Sequence, residues 1–326
     1  MRYLDLGKTG LKVSQLALGT GMLGAGKEVS IDPGEADGVV RAYLEAGGNL
    51  IDTAEAYLGG KSEELLGEIL GAHRDDVVLV SKYGRSTTRD ALPGRVGNHR
   101  KAMMQSVEGS LRRLRTDHID VYLVHFDDGI TPIDEIMRGF DRLVSSGKIL
   151  YGGLSNFPAW RCAQAGTLAE IRGWAPLSCI EVEYSLLQRT TEREVLPFAK
   201  SAALGVLGYS TLAAGVLTER SRTERPDPER ASRAGIPPEA DLERTVDAML
   251  DVATELSVDA AHVALAWVIA KGVVPVLGAR TSAHVRDNLG AAHLRLSAEQ
   301  IRRLDNASSI PLGYPHALLA LTKVEP

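Results

Sequence analysis

The stretch Ile119-Asp120-Val121-Tyr122-Leu123-Val124-His125 is a short apolar run that stops on a histidine. A run of this length, with β-branched and aromatic residues, reads as a strand buried on both faces. The pattern recurs along the chain. Leu50-Ile51 stops at Asp52, Val77-Val78-Leu79-Val80 stops at Ser81-Lys82, and Ile149-Leu150-Tyr151 runs through Gly152-Gly153-Leu154 to Ser155-Asn156. Cys179-Ile180 with Val182 stops near Glu183, Val206-Leu207 at Tyr209, and Val273-Val274-Pro275-Val276-Leu277 at Gly278. With Leu16-Ala17-Leu18 at the head of the series, these make eight strand candidates.

The segments between them have helical periodicity. Met103, Val107, Leu111 and Leu114 fall on one helix face, and Asn98 is a candidate cap for its start. Ile133, Ile136, Met137, Phe140, Leu143 and Val144 do the same, with Gly147 as a stop. Residues 241–256 and 259–271 give two more helices. Eight strand–helix units predict an α/β fold, a closed (β/α)8 TIM barrel, rather than an open doubly wound sheet. Tyr3-Leu4-Asp5-Leu6, Gly7-Lys8-Thr9-Gly10 and Leu11-Lys12-Val13 read as an N-terminal β-hairpin that plugs the barrel floor. Long loops are expected at the C-terminal face. The longest, residues 221–240, with Arg222, Arg225, Pro226, Pro228, Arg230, Pro237 and Pro238, is either an exposed loop or a lid. No linker divides the chain, so a single domain over residues 1–326 is expected.

Composition removes several classes of function. Of 326 residues, 44% are hydrophobic and 24% charged, which excludes disordered and collagen-like chains. The formal charge of −5 leaves no general basic field for nucleic acid or an anionic membrane. Cys162 and Cys179 form no framework, and the opening Met1-Arg2-Tyr3-Leu4-Asp5-Leu6-Gly7 lacks a signal-peptide core, so a reducing cytoplasm is the expected compartment. The most apolar stretch, residues 263–278, is broken by Lys271-Gly272 and Pro275 and is too short to span a bilayer.

Barrel enzymes carry their chemistry at the C-terminal ends of strands. There stand Asp52, Lys82 and His125, with Tyr57 in the loop after Asp52. Taken singly, each has a plain structural explanation: a helix cap, a solvated strand end, a satisfied histidine, a loop aromatic. Together they suit one reaction. A lysine ammonium beside a phenol favours the phenolate, a carboxylate keeps the lysine charged and in place, and a histidine orients a carbonyl. The set fits protonation of a carbonyl oxygen while hydride reaches its carbon. It makes a poor metal site, and none is expected.

These residues, in order, resemble the aldo-keto reductases. The resemblance rests on Gly19-Thr20-Gly21, Asp52-Thr53-Ala54-Glu55-Ala56-Tyr57, Ser81-Lys82, Val124-His125, Leu154-Ser155-Asn156-Phe157, Glu183-Tyr184-Ser185-Leu186, and Gly278-Ala279-Arg280-Thr281 with Asn288, and it runs from about residue 2 to 310. It implies NADP-dependent reduction of an aldehyde or ketone, a small-molecule carbonyl substrate, without metal or flavin. By position it makes Tyr57 the general acid, Lys82 the tuner of its pKa, Asp52 the partner of Lys82, and His125 the group that orients the carbonyl. Ser155 and Asn156 would bind the nicotinamide carboxamide and Tyr209 would stack on its ring. Ser210, Leu212 and Gly215 would line the pyrophosphate, Arg280 and Thr281 would meet the adenosine 2′-phosphate, and Asn288 the adenine. Gly19, Thr20 and Gly278 would also border the cofactor.

The chain departs from the family pattern at three places. Glu181 stands where a Gln usually completes the carboxamide clamp. Tyr209-Ser210-Thr211-Leu212 replaces the usual aromatic-Ser-Pro-Leu. His284, with Arg286 nearby, stands where a Gln or Arg usually faces the adenosine phosphate. Two narrower readings stay open. One is a nucleotide-sugar keto-reductase of deoxysugar biosynthesis, whose substrate diphosphate would meet Arg222, Arg225 and Arg230. The other is a cofactor-binding subunit resembling the potassium-channel beta subunits. Retention of Asp52, Tyr57, Lys82 and His125 favours catalysis. A metal-dependent isomerase on the same fold is disfavoured by the lack of clustered carboxylate ligands. Trp160, Trp174 and Trp267 are expected to be packing residues, Cys162 and Cys179 inert, and Glu55 a first-turn helix charge. Phe126 and Asp127-Asp128 would line the substrate mouth, and the tail from Pro311 to His316 would either close over the site or dock on the barrel.

Overall fold

A computed structural model describes residues 1–24, 31–88, 90–223, 236 and 241–322. Its centre is a closed barrel of eight parallel strands: β3 (Ala17–Gly19), β4 (Leu50–Asp52), β5 (Val78–Tyr83), β6 (Ile119–Val124), β7 (Ile149–Ser155), β8 (Leu177–Glu183), β9 (Gly205–Tyr209) and β10 (Val274–Gly278). They pair in chain order, and β10 closes on β3 with Gly278 opposite Gly19. The fold expected from the sequence is therefore the fold observed, with strand ends within a residue or so of those read from the apolar runs. The first barrel strand also carries the glycine spacing of an open dinucleotide-binding sheet, Gly-x-Gly-x-x-Gly, in Gly19-Thr20-Gly21-Met22-Leu23-Gly24. Closure excludes that fold: β3 is paired on both sides, and the first described helix after Gly24 begins only at Pro33.

The helices wrap the outside, and their starts follow from local chemistry. Helix α1 (Pro33–Glu45) has Asp32 as N-cap, its carboxylate accepting from Gly34 N, and Pro33 in the first turn, where its missing N–H costs nothing. Residues Leu242–Leu256 and Ala260–Ala270 form helices capped by Asp241 and Asp259. Helices α2 (Lys61–Leu70), α3 (Arg100–Leu114), α4 (Ile133–Ser145), α5 (Ala159–Arg172) and α6 (Val195–Ser201) bury their apolar faces against the barrel. Asn98 does not cap α3. His99 does, its Nδ1 accepting from Ala102 N, while Asn98 ties two loops by donating to Phe126 O and to Asp128. No single described helix is long and apolar enough to cross a membrane.

Two apolar layers hold the barrel together. One lies between the strands and the helices; the other fills the interior, with Ala17, Leu50, Val78, Val80, Val121, Leu123, Cys179, Leu207, Val274 and Val276 pointing to the axis. The hairpin β1 (Tyr3–Asp5) and β2 (Lys12–Ser14) adds Leu6 and Val13 to the interior layer and so closes the floor, as expected. Its turn lies on the backbone of β9. Gly7 has φ +59°, and a Cβ there would fall 2.4 Å from Gly205 N. Gly153 is required inside the barrel for the same reason, since a Cβ would meet Leu123 Cδ2 at 2.5 Å and Cys179 O at 2.6 Å.

Candidate active site

Side chains alternate in and out along a strand, so the inward set of the lower barrel fixes the inward set above it. Leu50 predicts Asp52 inward, Val78 and Val80 predict Lys82, Val121 and Leu123 predict His125, Cys179 predicts Glu181, and Leu207 predicts Tyr209. Gly153 points Ser155 the same way, and Ser155 is level with Glu181 in the register. Hydrophobic layers thus give way to one polar layer at the C-terminal mouth.

Lys82 is the hub of that layer and is fully buried. Its Nζ donates to Asp52 Oδ1 at 2.5 Å, Thr53 O at 3.2 Å and Tyr57 Oη at 3.3 Å, and stands 3.3 Å from Glu181 Oε1. Burial works against the ammonium, but Asp52, Glu181 and Tyr57 outweigh it and hold its pKa well above the ordinary lysine value. Lys82 also lies 5.2 Å from the centre of the Tyr57 ring.

The loop after β4 presents Tyr57 to this lysine. Thr53 N donates to Val80 O and Glu55 N to Lys82 O, which folds the loop over the end of β5; Tyr57 N then donates to Ala54 O. Leu58, Gly59 and Gly60 all take positive φ and turn the chain into α2. The Tyr57 ring rests on Gly21, where a Cβ would touch it at 3.7 Å, and meets the His125 ring edge-on at 5.7 Å. The Tyr57 hydroxyl is not acidified on balance, contrary to the sequence expectation. Burial raises its pKa most, Lys82 opposes that, and Asp52 and Glu181 add to it. Lys82 limits the rise rather than reversing it, so the phenol is fully protonated at neutral pH.

His125 stacks on Phe126 with ring centres 4.6 Å apart, and the guanidinium of Arg85 lies 5.1 Å over the other ring, so that Arg85, Phe126 and His125 form a layered platform. Phe126 is 39% exposed and keeps to the mouth. Asp127 and Asp128 do not line it. Asp127 is bound to Arg161 at 2.8 Å, and Asp128 accepts from Asn98 N, Ile130 N and Thr131, folding the loop behind the platform. His125 Nδ1 is buried without a hydrogen-bond partner among the described residues. Burial, then Lys82 and Arg85, push the imidazole down to about 3. It is therefore expected to stay neutral and not to titrate between about pH 5 and 8, where histidines ordinarily do. The unfolded chain takes up the proton that the folded chain refuses, so His125 stabilises the fold above the ordinary value of about 6.5 and that contribution is lost as pH falls toward about 3. An NMR titration of the imidazole checks this, and a midpoint near the ordinary value would contradict it.

The far side of the mouth carries the residues assigned to a nicotinamide by the resemblance. Ser155 is buried, and Asn156, at φ +57°, donates through Nδ2 to His125 O at 3.0 Å and Ser155 Oγ at 2.9 Å while its Oδ1 accepts from Tyr209 Oη at 2.8 Å. Glu181 is 2% exposed, and its Oε2 has no hydrogen-bond partner among the described residues. Thr20 Oγ1 is spent inside the protein, donating to Asp52 O and accepting from Ser62. Ser210 at φ +55° and Leu212 lead into the turn that holds Gly215. After β10, Gly278 and Arg280 are exposed, and Thr281 caps the helix Ser282–Asn288 by accepting from His284 N. His284 is exposed there and Asn288 is buried. The structure joins Asp52, Tyr57, Lys82 and Glu181 in one cluster, links Tyr209 and Ser155 to His125 through Asn156, and leaves the residues after β10 as a separate group beside β3.

Other expectations change. Glu55 is not a helix charge. It is buried, accepts from Gly84 N at 3.1 Å, and is pushed up to about 7 by burial first, with Glu63 adding to the rise. Trp267 is buried and Trp174 half-buried, but Trp160 is 66% exposed, with the Arg161 guanidinium 5.9 Å over its ring, and is not a core residue. The Cys162 and Cys179 thiols are buried and pushed up to about 12 by that burial, which suits inert residues. Arg222 is held by Glu219 and Thr254, while Arg225, Arg230 and the four prolines of the proposed lid lie outside the described residues. The tail docks on the barrel side, with Arg193 donating to Pro311 O and His316 beside Glu194. The seat of Arg85 over Phe126 and the reach of Glu181 to Lys82 are the site features that the sequence reading missed. The inward parity of position 181, level with Ser155, was the available signal for the second.

Residues 15–309 match the family model described as the aldo/keto reductase family. Among curated relatives, norsolorinic acid reductase of Aspergillus flavus is 34% identical over 97% of this chain and 83% of its own length. The uncharacterized oxidoreductase YrpG of Bacillus subtilis is 37% identical over 96% of this chain and 98% of its own length. An aryl-alcohol dehydrogenase [NADP(+)] of Phanerodontia chrysosporium is 34% identical over 85% of this chain and 77% of its own length.

Proposed function

The chain belongs to the aldo/keto reductase family, and on that premise we propose that it reduces an aldehyde or ketone to the alcohol with NADPH, with Tyr57 as general acid. The observation that carries the reading is the placement of Tyr57 Oη 3.3 Å from a lysine that is itself bound to Asp52, at the same rim as His125. The residues present fit a nicotinamide. Ser155, Asn156, the unpartnered oxygen of Glu181 and the ring of Tyr209 all lie beside the cluster. When bound, the reduced cofactor supplies the hydride that becomes the new C–H bond at the carbonyl carbon. Tyr57 supplies the proton to the carbonyl oxygen, and its phenolate is sustained by Lys82 until a proton returns from solvent. Asp52 fixes Lys82 so that the ammonium costs no reorganisation during the reaction. The neutral imidazole of His125 orients the carbonyl by a hydrogen bond.

An aryl carbonyl is the favoured substrate class. Phe126, its ring held by His125 and Arg85, leaves an exposed edge at the mouth beside His125, which suits edge-to-face packing of an aromatic substrate, and the relative named for aryl alcohols points the same way. Preference for NADPH over NADH rests on Arg280 and Thr281 in the segment after β10 and on the NADP(+) in that relative's name. The experiment is a fluorescence titration of both reduced cofactors, followed by a panel of aryl and aliphatic carbonyls. A charge-assisted phosphate contact is worth about 1.5–3 kcal/mol, so NADPH should bind at least about ten-fold more tightly. Equal affinities would remove the NADP preference, and a panel with no turnover would remove the reductase.

A further inference from the structure

Asp52, Lys82 and Glu181 place two carboxyls and one ammonium in a region sealed from solvent, with side-chain exposures of 3%, 0% and 2%. An ammonium has three protons. Around Lys82 Nζ stand four oxygens: Asp52 Oδ1, Thr53 O, Tyr57 Oη and Glu181 Oε1. Tyr57 and Glu181, both at 3.3 Å, compete for what Asp52 and Thr53 leave. One cation cannot neutralise two buried anions, and an uncompensated buried carboxylate is costly enough that the group takes up a proton instead. Burial raises Asp52 as well, but the 2.5 Å contact with Lys82 and a hydrogen bond from Glu181 oppose that rise, which marks Asp52 as the carboxylate that stays ionised. Glu181, with Oε2 unpartnered and its carboxyl within hydrogen-bonding reach of Asp52, is the one that holds the proton.

We propose that Glu181 is a positioning residue that holds a proton in the working enzyme, and that releasing this proton draws Lys82 from Tyr57 and sets the alkaline limit of activity. The inference rests on the reading of Tyr57 as the acid. With Glu181 neutral, the cluster carries no net charge and Lys82 serves the tyrosine. With Glu181 ionised, an extra negative charge opposes the phenolate that forms as Tyr57 gives up its proton, so turnover falls in both directions. The same charge lies beside the nicotinamide site and favours the cationic ring of NADP+ over the neutral ring of NADPH.

The groups facing Glu181 support this sign. Asp52 on β4 opposes its ionisation and Lys82 on β5 favours it. Cys179 on β8 and Tyr209 on β9 are pushed up to about 12 by burial and stay neutral throughout. Tyr57, raised above its ordinary value, is neutral as well. Burial first, then Asp52, push Glu181 up to about 8.

The test compares wild type with Glu181→Gln, which keeps shape and volume. In the wild type without cofactor, infrared spectra should show the carbonyl band of a buried protonated carboxyl that disappears with a midpoint near pH 8; in Glu181→Gln this transition should be absent. The ratio of NADPH to NADP+ dissociation constants should rise across that midpoint in the wild type and stay flat in the variant. The alkaline limb of kcat should move up by at least about one pH unit in the variant. Identical infrared titrations, or a variant whose kcat drops by one factor at every pH with its limb unmoved, would overturn the proposal. If Tyr57→Phe retained full turnover, the acid role would fail and the limb would lose its explanation, whereas the infrared transition would still report whether Glu181 holds the proton.

Discussion

Tyr57→Phe is expected to lower kcat by about 10²- to 10⁴-fold, the range associated with one general acid, and to leave both the fold and NADPH affinity close to wild type. The substitution removes one hydroxyl and keeps the ring, which is held between Gly21 and the edge of His125. Among the described residues only Lys82 bonds that hydroxyl, so no other described donor or acceptor is orphaned. Steady-state turnover with a reactive aldehyde, paired with a fluorescence titration of the cofactor, separates chemistry from binding. Near-normal turnover would take Tyr57 out of the mechanism.

Lys82→Met should be worse, because it harms stability as well as turnover. It removes the ammonium that pairs with two buried carboxyls. Breaking a buried pair from one side costs about 3–5 kcal/mol. Without the ammonium both Asp52 and Glu181 must be neutral to stay buried, so their folded pKa values lie further above the ordinary carboxyl value of about 4. A raised carboxyl pKa means that the folded state holds protons the unfolded chain has released, and stability is lost as pH rises through that interval. The variant should therefore lose more melting temperature at alkaline than at mildly acidic pH, while Tyr57→Phe melts like the wild type at both. A Lys82→Met protein whose melting temperature equals that of the wild type at pH 8 would show that the pair carries no stability. Unchanged turnover would remove Lys82 from the support of Tyr57.

Much of this site is legible because a barrel strand has a period of two. Once Val121 and Leu123 are known to face inward, His125 must follow them, and the same step takes Val78 and Val80 to Lys82 and Cys179 to Glu181. The glycine spacing at Gly19, Gly21 and Gly24 shows the weakness of a single motif. It matches an open dinucleotide fold, and only the count of strand–helix units argues for closure. Asp127, Asp128 and Glu55 show the limit of reading charges as solvated or functional. Each is tied into loop structure by a partner distant in the chain: Gly84 for Glu55, Arg161 for Asp127 and Asn98 for Asp128, at 29, 34 and 30 positions, which no local pattern announces.

The sequence by itself determined the eight strands, the floor hairpin and the identity of the residues that reach the barrel mouth, because apolar runs and their alternation are local properties of the chain. Only the tertiary structure decided their electrical state. Lys82 and Glu181 are far apart along the chain and meet because β5 and β8 face one another across a closed barrel. Burial and distance set how strongly an ammonium, two carboxyls and a phenol perturb each other, and both quantities exist only once the barrel has closed.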